Sequence, residues 1–203
     1  MIKRLPVIPT FVVAAAVAAL VWLGVWQLGR ANENQLLVDR YRAAQAQPPI
    51  TFPTIPITNS ELPLMRYATG NCLRPVSKRT AAGENREGEP GYLIIVDCTT
   101  GAEGPGMSVE LGWSKNPNAK PEWHGGLVSG FIVKDPRTRM RLVADSPAPG
   151  LDGSARPSAE NQVSVTPARN RGYAATWFAF AGIALVIYGL AVRKRLKDKT
   201  PKR

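Results

Sequence analysis

Two long runs of apolar residues, at 10–28 and 172–192, contain no charged side chain and lie near the two ends of the 203-residue chain. A helix rises about 1.5 Å per residue, so each run covers roughly 30 Å, the thickness of the hydrocarbon core of a bilayer. The longest apolar stretch between them covers only residues 92–96. A cleaved signal peptide is the alternative for the first run, but the apolar region of a signal is usually ~7–15 residues long. We therefore predict two transmembrane helices.

The segment after the first run favours a helix and then an extended chain. Residues 32–46 contain no proline or glycine and place their apolar residues at helical spacing, which predicts an amphipathic continuation of the first helix. Five prolines between residues 48 and 63 then interrupt any helix. Residues 29–63 are therefore predicted to be a helical extension followed by a proline-rich linker.

From residue 64 to residue 171 the pattern changes to short β-like runs separated by turn residues. The strand candidates are 65–73, 91–99, 107–113, 126–134 and 138–143, with 162–165 as a weaker sixth. The polar segment 81–90 predicts a hairpin loop or a longer connection. Such strands indicate a small antiparallel sheet or a partly closed barrel. The predicted fold class is an α+β membrane protein in which two transmembrane helices flank a small antiparallel β domain.

Positive charge is concentrated at the two ends of the chain. Lys and Arg number 26 against 15 Asp and Glu, and the net charge is +11. Lys3 and Arg4 lie in the tail 1–9, and the tail 193–203 has seven basic residues against Asp198. Basic residues beside membrane helices stay in the cytoplasm, so both termini are predicted to be cytoplasmic and the β domain periplasmic, in the inner membrane of a bacterium (or in the intermembrane space, if the chain is mitochondrial). The basic tails then face lipid headgroups, and nucleic acid is excluded as a partner.

Cys72 and Cys98 both lie in the predicted periplasmic part, near the ends of two strand candidates. An oxidising compartment favours a disulfide between them. Two unpaired, buried thiols are a second interpretation. A redox or copper-carrying pair is a third, although such pairs usually have the closer Cys-x-x-Cys spacing.

The sequence offers little that could carry catalysis. His124 is the one histidine, and a metal site would need further nitrogen or thiolate ligands. The glycine-rich segment 101–106 lacks the Lys-Ser/Thr of a phosphate loop. We therefore do not predict an enzyme, although a periplasmic enzyme tethered by its anchors is kept as a rival hypothesis.

Aromatic residues mark the outer ends of both predicted spans. Trp22 and Trp26 are four residues apart in the first span, and Tyr173 and Trp177 have the same spacing in the second. One interpretation is an aromatic belt at the level of the lipid headgroups. The other is a groove between the helices, just beneath the external domain, that holds a flat amphipathic ligand or a transmembrane helix of a partner.

Several short motifs occur one after another along the chain, from the end of the first predicted span to the start of the second. Trp26-Gln27-Leu28-Gly29-Arg30 ends the first span, and Tyr173-Ala174-Ala175-Thr176-Trp177-Phe178 opens the second. Between them stand Gly91-Tyr92, Gly112-Trp113, Val128-Ser129-Gly130 and Arg156-Pro157-Ser158. In this order and membrane placement the sequence resembles the surfeit locus protein one family, which are assembly factors of cytochrome c oxidase.

The resemblance implies a role without catalysis in the maturation of the oxidase. Family members are thought to help haem A reach the catalytic subunit, or to stabilise that subunit during cofactor insertion. The family's Trp-Gln-x-x-Arg motif corresponds to Trp26, Gln27 and Arg30, where an Arg could pair with a haem propionate and a Trp could stack on a porphyrin. With Tyr173 and Trp177 these residues form the candidate surface for haem A or for the catalytic subunit.

One position departs from the family pattern. The family usually has a histidine three residues before the tyrosine of the second span, and that position is Asn170 here. An amide is a poor haem ligand, so the resemblance implies transient haem A without this ligand, a ligand borrowed from a partner (or from His124), or scaffolding alone. A membrane-anchored envelope scaffold unrelated to the oxidase is the alternative function.

Overall fold

The computed structural model describes residues 7–54, 58–101 and 105–198. Lys3 and Arg4 of the predicted N-terminal tail, residues 199–203 of the C-terminal tail, and residues 102–104 of the glycine-rich segment lie outside the described residues. The chain divides into two compact units. One, here called the helical hairpin, comprises residues up to Leu36 and from Ser164 onward; the other, here called the β domain, is Leu37–Val163.

Two long helices account for both predicted spans. Helix α1 is Val7–Gln45 and helix α2 is Pro167–Asp198, and each contains a segment long and apolar enough to cross a membrane. Helix α1 continues past its apolar run because the next segment has good helix formers and no proline. Helix α2 begins at Pro167, since proline is tolerated in the first turn of a helix. Residues 167–171, assigned above to the β domain, therefore belong to α2.

The buried residues of the hairpin follow a spacing of three, four or seven residues. On α1 they are Gly24, Ala31 and Asn34, and on α2 they are Pro167, Asn170, Ala174 and Ala181. This spacing is typical of helices that pack along a heptad seam. A Cβ atom on Gly24 would lie 2.5 Å from the ring of Phe178, so the absence of a side chain lets the two helices approach closely.

The β domain contains a seven-stranded sheet. Its strands are β1 (Ile50–Thr51), β2 (Tyr67–Cys72), β3 (Arg74–Glu84), β4 (Pro90–Thr99), β5 (Pro105–Ser114), β6 (Gly126–Asp135) and β7 (Arg139–Ala144). The order in the sheet is β1-β2-β6-β7-β5-β4-β3. Most neighbours are antiparallel, but β1 is parallel to β2 and β5 is parallel to β7, so the sheet is mixed and not wholly antiparallel. The reason is topological: the β6–β7 hairpin enters between β2 and β5, and β7 then runs in the same direction as β5.

Two of the local predictions are wrong. Strand β3 is absent from the predicted set. The predicted hairpin loop 81–90 does connect two antiparallel strands, but residues 81–84 belong to β3 and the turn is confined to 85–89. The proposed sixth strand at 162–165 does not form, because a short 3-10 helix, Glu160–Gln162, and a bend lead directly into α2.

The sheet curls on itself and encloses the main core. Cys72 on β2 and Cys98 on β4 form a disulfide with their Cα atoms 5.3 Å apart, although three strands, β6, β7 and β5, lie between β2 and β4 in the sheet order. The backbone N–H of Leu73 also donates to the carbonyl of Thr99 at 2.9 Å. The enclosed core contains both cysteines together with large apolar side chains from four of the strands and from the linker, among them Phe52, Met107, Leu111, Ile132 and Leu142. A second, smaller cluster lies on the outer face, where Tyr41 and Ala44 of α1 pack against Met65, Val133 and Val143.

Candidate functional site

The five predicted site residues of the hairpin fall into two groups. Gln27 and Trp177 are partly buried and lie at the spacing of the seam. Trp26, Arg30 and Tyr173 are exposed, with 49% of the Trp26 surface accessible. These residues therefore do not line one closed pocket. The exposed group forms outward-facing surface that lipid, a ligand or a partner helix can contact.

Arg30 lies next to an acidic partner on its own helix. Its Nη1 donates to Oε2 of Glu33 at 2.7 Å, and both side chains are about half exposed or more. An exposed pair of this kind contributes roughly 0–1 kcal/mol, so it is easily exchanged for another anion. The guanidinium keeps further N–H donors for such an anion.

Tyr173 and Trp177 have neighbours that sequence reasoning missed. Nε of Arg169 donates to the hydroxyl of Tyr173 at 3.1 Å, and its guanidinium carbon lies 6.0 Å from the centre of that ring. Trp177 meets Phe180 edge to face, with ring centres 6.3 Å apart. The spacing of four residues between Arg169 and Tyr173 was the available signal, because such residues are neighbours on a helix.

Two asparagines are buried within the hairpin. Nδ2 of Asn34 donates to the backbone carbonyl of Val165 at 2.9 Å. Asn170 is 5% exposed, and its Nδ2 has no hydrogen-bond partner in the described part of the chain. Asn170 occupies the position where the resemblance implies a histidine, and a buried amide at this position does not suit a haem iron.

No other described residues supply a set of iron ligands. Among residues 7–54, 58–101 and 105–198, no three His, Cys, Asp or Glu side chains are grouped so that they could hold a metal ion. His124 is exposed, in the β domain, before β6. At the position where the resemblance implies an iron ligand, the hairpin therefore offers the amide of Asn170 and no histidine.

The hairpin contains an apolar groove of about 650 Å³. It is lined by Thr10, Val13, Ala14, Val17, Ala18, Val21, Trp22, Leu185 and Tyr188. The hydroxyl groups of Thr10 and Tyr188 contact each other at one end. The predicted groove was placed at the outer ends of the spans, whereas this one lies along the N-terminal half of α1 and the C-terminal half of α2. Of the four predicted aromatic residues it includes only Trp22.

A cluster of five charged side chains lies on the outer face of the sheet: Arg79, Asp97, Glu110, Asp135 and Arg141. Nη2 of Arg79 donates to Asp135 at 2.8 Å. Arg141 donates from Nη1 to Asp135 at 3.1 Å and from Nε to Glu110 at 2.8 Å. The side chain of Asp135 is fully buried, and that of Glu110 is nearly so. Buried charges are costly unless they are paired and hydrogen-bonded, so this cluster acts as a cross-strand structural network.

The hydrogen bonds of the network fix the ionisation of its central carboxylate. Burial on its own would raise the pKa of Asp135. Hydrogen bonds from the hydroxyl and the amide of Thr138 and from Arg79, together with the charge of Arg79, outweigh burial and lower the pKa to about 2. Asp97, in the same network, accepts hydrogen bonds from the hydroxyls of Ser77 and Ser108, each at 2.6 Å.

Comparison with known proteins identifies the family to which this architecture corresponds. The sequence model of the SURF1 family matches residues 14–182, which include most of the apolar run of α1, about half of that of α2 and the whole β domain. No curated protein matches the chain at a significant level.

Proposed function

The chain belongs to the SURF1 family, and from this premise we propose that it holds the catalytic subunit of cytochrome c oxidase in the membrane while haem A is inserted. Proteins of this family act in the assembly of cytochrome c oxidase and are not known as catalysts. Two helices that can cross a membrane are compatible with a bacterial inner-membrane protein. The cytoplasmic position of both termini and the periplasmic position of the β domain are part of the proposal.

The composition of the hairpin surface supports the proposal that the chain holds the catalytic subunit, and does not itself carry haem through a ligand to the iron. Trp22 and Trp26 are exposed on α1, and Phe180, Ile183 and Val186 are exposed on α2. Side chains of this kind can face lipid, and their large surfaces are also available for van der Waals contact with a transmembrane helix of a partner. The buried Asn170 leaves the hairpin without the histidine that haem ligation would use. A membrane partner therefore suits this surface better than a resident cofactor.

Trp26 and Arg30 are the residues we assign to the partner surface, in the middle of α1 and at the outer end of the first predicted span. The exposed indole of Trp26 supplies a large contact area. The guanidinium of Arg30 can leave Glu33 and donate hydrogen bonds to a carboxylate of the partner or to a propionate of its haem. Aromatic and Arg side chains dominate the energetics of many protein interfaces. Replacement of either residue should therefore weaken assembly without unfolding the chain.

The experiment is complementation of a deletion strain with Trp26→Ala and Arg30→Ala. We expect a several-fold lower haem a absorption and oxygen uptake in membranes at unchanged abundance of the chain. Arg40→Ala is the matched control, because Arg40 is an exposed cation on the same helix outside the assigned surface. Normal oxidase in both variants would contradict the assignment of the surface.

Abundance of the catalytic subunit separates holding from haem delivery. If the chain holds the subunit, deletion should lower the amount of that subunit together with its haem. If the chain only delivers haem A, the subunit should accumulate without haem. Consistent absence of oxidase subunits after purification in mild detergent would instead favour an unrelated envelope scaffold.

A further inference from the structure

The outer face of the β domain carries a cavity of about 370 Å³ that the proposed function does not use. Its floor lies where β2, β6 and β7 are neighbours and is formed by Tyr67, Phe131 and Val143, which are paired across these strands. The rings of Tyr67 and Phe131 meet edge to face, with centres 5.4 Å apart. The floor is therefore apolar and largely aromatic.

One wall of the cavity is the segment 152–157, which is fixed to the sheet by backbone hydrogen bonds. Asp152 exchanges two bonds with Trp113, at 2.8 and 3.0 Å, and the N–H of Ala155 donates to the carbonyl of Glu84 at 2.8 Å. Ser154 forms a bridge with Asn85 in the β3–β4 turn. Because the backbone is held at residues 152, 154 and 155, this wall is formed before any ligand arrives.

Arg86 lies at this wall in a defined position. Its guanidinium lies against the backbone of Gly153, where a Cβ atom would be 2.4 Å from Nε. Its Nη2 donates to the backbone carbonyl of Asp145 at 2.8 Å. A guanidinium has five N–H donors, so most of them are left for a ligand.

Arg156 supplies a second cation to the same lining. It is exposed, and no carboxylate within the described ranges 7–54, 58–101 and 105–198 forms an ion pair with it. The following residue, Pro157, restricts the backbone of Arg156 to extended conformations. Arg156 also lines the neighbouring cavity of about 360 Å³, so it stands between two hollows of the outer face.

Asp145 is the acidic residue of the lining, and it is already engaged. The hydroxyl of Tyr67 donates to its Oδ2 at 2.6 Å. That hydrogen bond, followed by burial and by the charge of Asp145, raises the pKa of Tyr67, which therefore remains neutral near pH 7. Two cations face one anion, and the cavity carries a net positive charge.

We propose that this cavity binds a small carboxylate carried on a flat apolar body, with the body on Tyr67 and Phe131 and the carboxylate on Arg86 and Arg156. Guanidinium groups bind carboxylates through paired, charge-assisted hydrogen bonds and are also suited to lie beside aromatic rings. The volume is at the lower end of the ~300–1,000 Å³ typical of small-molecule pockets. This site is separate from the surface assigned to oxidase assembly and does not depend on that function.

The experiment uses the full chain in lipid nanodiscs and 2-naphthoate as the probe, with binding followed by saturation-transfer NMR against empty nanodiscs. We expect saturable binding to the wild type. Arg86→Ala and Arg156→Ala should each weaken binding at least tenfold, since each removes a charge-assisted hydrogen bond to the carboxylate. Arg137→Ala, which removes an exposed cation at the β6–β7 turn, is the matched control and should bind as the wild type does.

Two further probes separate charge from apolar contact. The neutral alcohol 2-naphthylmethanol and the small anion acetate should each bind at least tenfold more weakly than 2-naphthoate. Equal binding of naphthoate to all four chains, or equal binding of the alcohol, would overturn the proposal, because the probe would then be partitioning into lipid or an unspecific patch. A thermal melt of each variant checks the fold. If Arg86→Ala melts at a lower temperature than the wild type, the binding measured for Arg156→Ala decides whether the proposal stands.

Discussion

The helical hairpin and the β domain bury opposite kinds of side chain. In the hairpin the buried residues are small or polar, such as Gly24, Ala174 and Asn170, while Phe11 and Ile183 are exposed. In the β domain the largest buried side chains are apolar, and Trp113, Ile94 and Leu142 are among them. One chain therefore follows two packing rules.

The difference follows from the solvent that each unit is built for. In water, burial of apolar surface drives folding, so the large apolar side chains of the β domain collect inside the curled sheet. In lipid, helices gain little from burying leucine or phenylalanine, and they associate through close packing of small residues and through hydrogen bonds. The contrast supports the membrane placement of the hairpin independently of its hydropathy.

Polar groups at buried positions also differ between the two units. The β domain carries ionised side chains on its outer face, and each carboxylate there accepts hydrogen bonds or ion pairs. Among the described residues of the hairpin, the buried polar side chains are the neutral amides of Asn34 and Asn170. Ionised groups are more costly than amides where water is absent, so charge is confined to the unit that has water nearby.

The largest effect is expected when the ion network of the β domain is broken. Asp135→Asn should lower the free energy of unfolding of the β domain by about 4 kcal/mol, because it leaves two Arg side chains with fewer buried partners. Urea unfolding followed by near-UV circular dichroism, with the chain in nanodiscs, measures this. Asp152→Asn, at an exposed position of the same domain, should change stability little. A loss below about 1 kcal/mol in Asp135→Asn would contradict the importance of the network.

Removal of the disulfide should be the next largest effect. The bond between Cys72 and Cys98 has a sequence separation of 26 residues, and closing a loop of that size stabilises by about 3 kcal/mol in the chain-entropy model. The double variant Cys72→Ser/Cys98→Ser should unfold at correspondingly lower urea, while the hairpin keeps its helical signal. Wild type reduced with dithiothreitol should unfold like the variant. If oxidised wild type and variant unfold together, the bond contributes nothing to the β domain.

Acid should weaken the β domain through the same carboxylate that anchors the ion network. The pKa of Asp135 is lowered from 3.8 to about 2, so its contribution to stability is complete above about pH 4 and is lost as the pH falls from 4 to 2. The loss amounts to about 2 kcal/mol. Urea midpoints at pH 5, 4, 3 and 2.5 measure it in wild type and in Asp135→Asn. The variant should lose less over this range; parallel curves would show that other carboxylates carry the acid sensitivity.

The sequence predicted the helices better than the sheet, for a physical reason. An uncharged run of about 20 residues has few alternatives to a membrane helix, and the absence of proline through Gln45 extends it. Strand β3 was missed because it is an edge strand whose side chains are mostly exposed, including Ser77 and Lys78, so it lacks the apolar alternation of a half-buried strand. The direction of β7 beside β5 depends on contacts distant in sequence.

The candidate site was only partly predictable for a related reason. The sequence places Trp26 and Gln27 at the end of the first span. Because lipid and a neighbouring membrane helix are both apolar, the hydrophobic pattern does not show which face of the span contacts the other helix. The structure places Gln27 at seam spacing and Trp26 outside. Arg86 and Arg156, in turn, are 70 positions apart and come together at one cavity only through the bonds of the segment 152–157. No local pattern of residues encodes that proximity.

The close approach of the two helices gives a smaller prediction for the hairpin. Gly24→Leu should lower hairpin stability by about 2 kcal/mol, because even a Cβ atom would lie 2.5 Å from the ring of Phe178. Titration with sodium dodecyl sulfate, followed by tryptophan fluorescence, reports the stability. Gly29→Leu is the control, since nothing lies within 4 Å of its Cβ position. Equal stability of the two variants would show that the helices are not in close contact at Gly24.

The smallest effects are expected for the two buried asparagines of the hairpin, Asn34 and Asn170. Their replacement by leucine should change hairpin stability in opposite directions. Nδ2 of Asn170 is a buried donor without a described partner, so Asn170→Leu should raise hairpin stability by about 1 kcal/mol. Nδ2 of Asn34 donates to Val165, so Asn34→Leu should lower stability by about 0.6 kcal/mol. Both follow from the same detergent titration. A loss in Asn170→Leu as large as that in Asn34→Leu would mean that the Asn170 amide is bonded in the membrane, and that burial alone does not explain why an amide occupies this position.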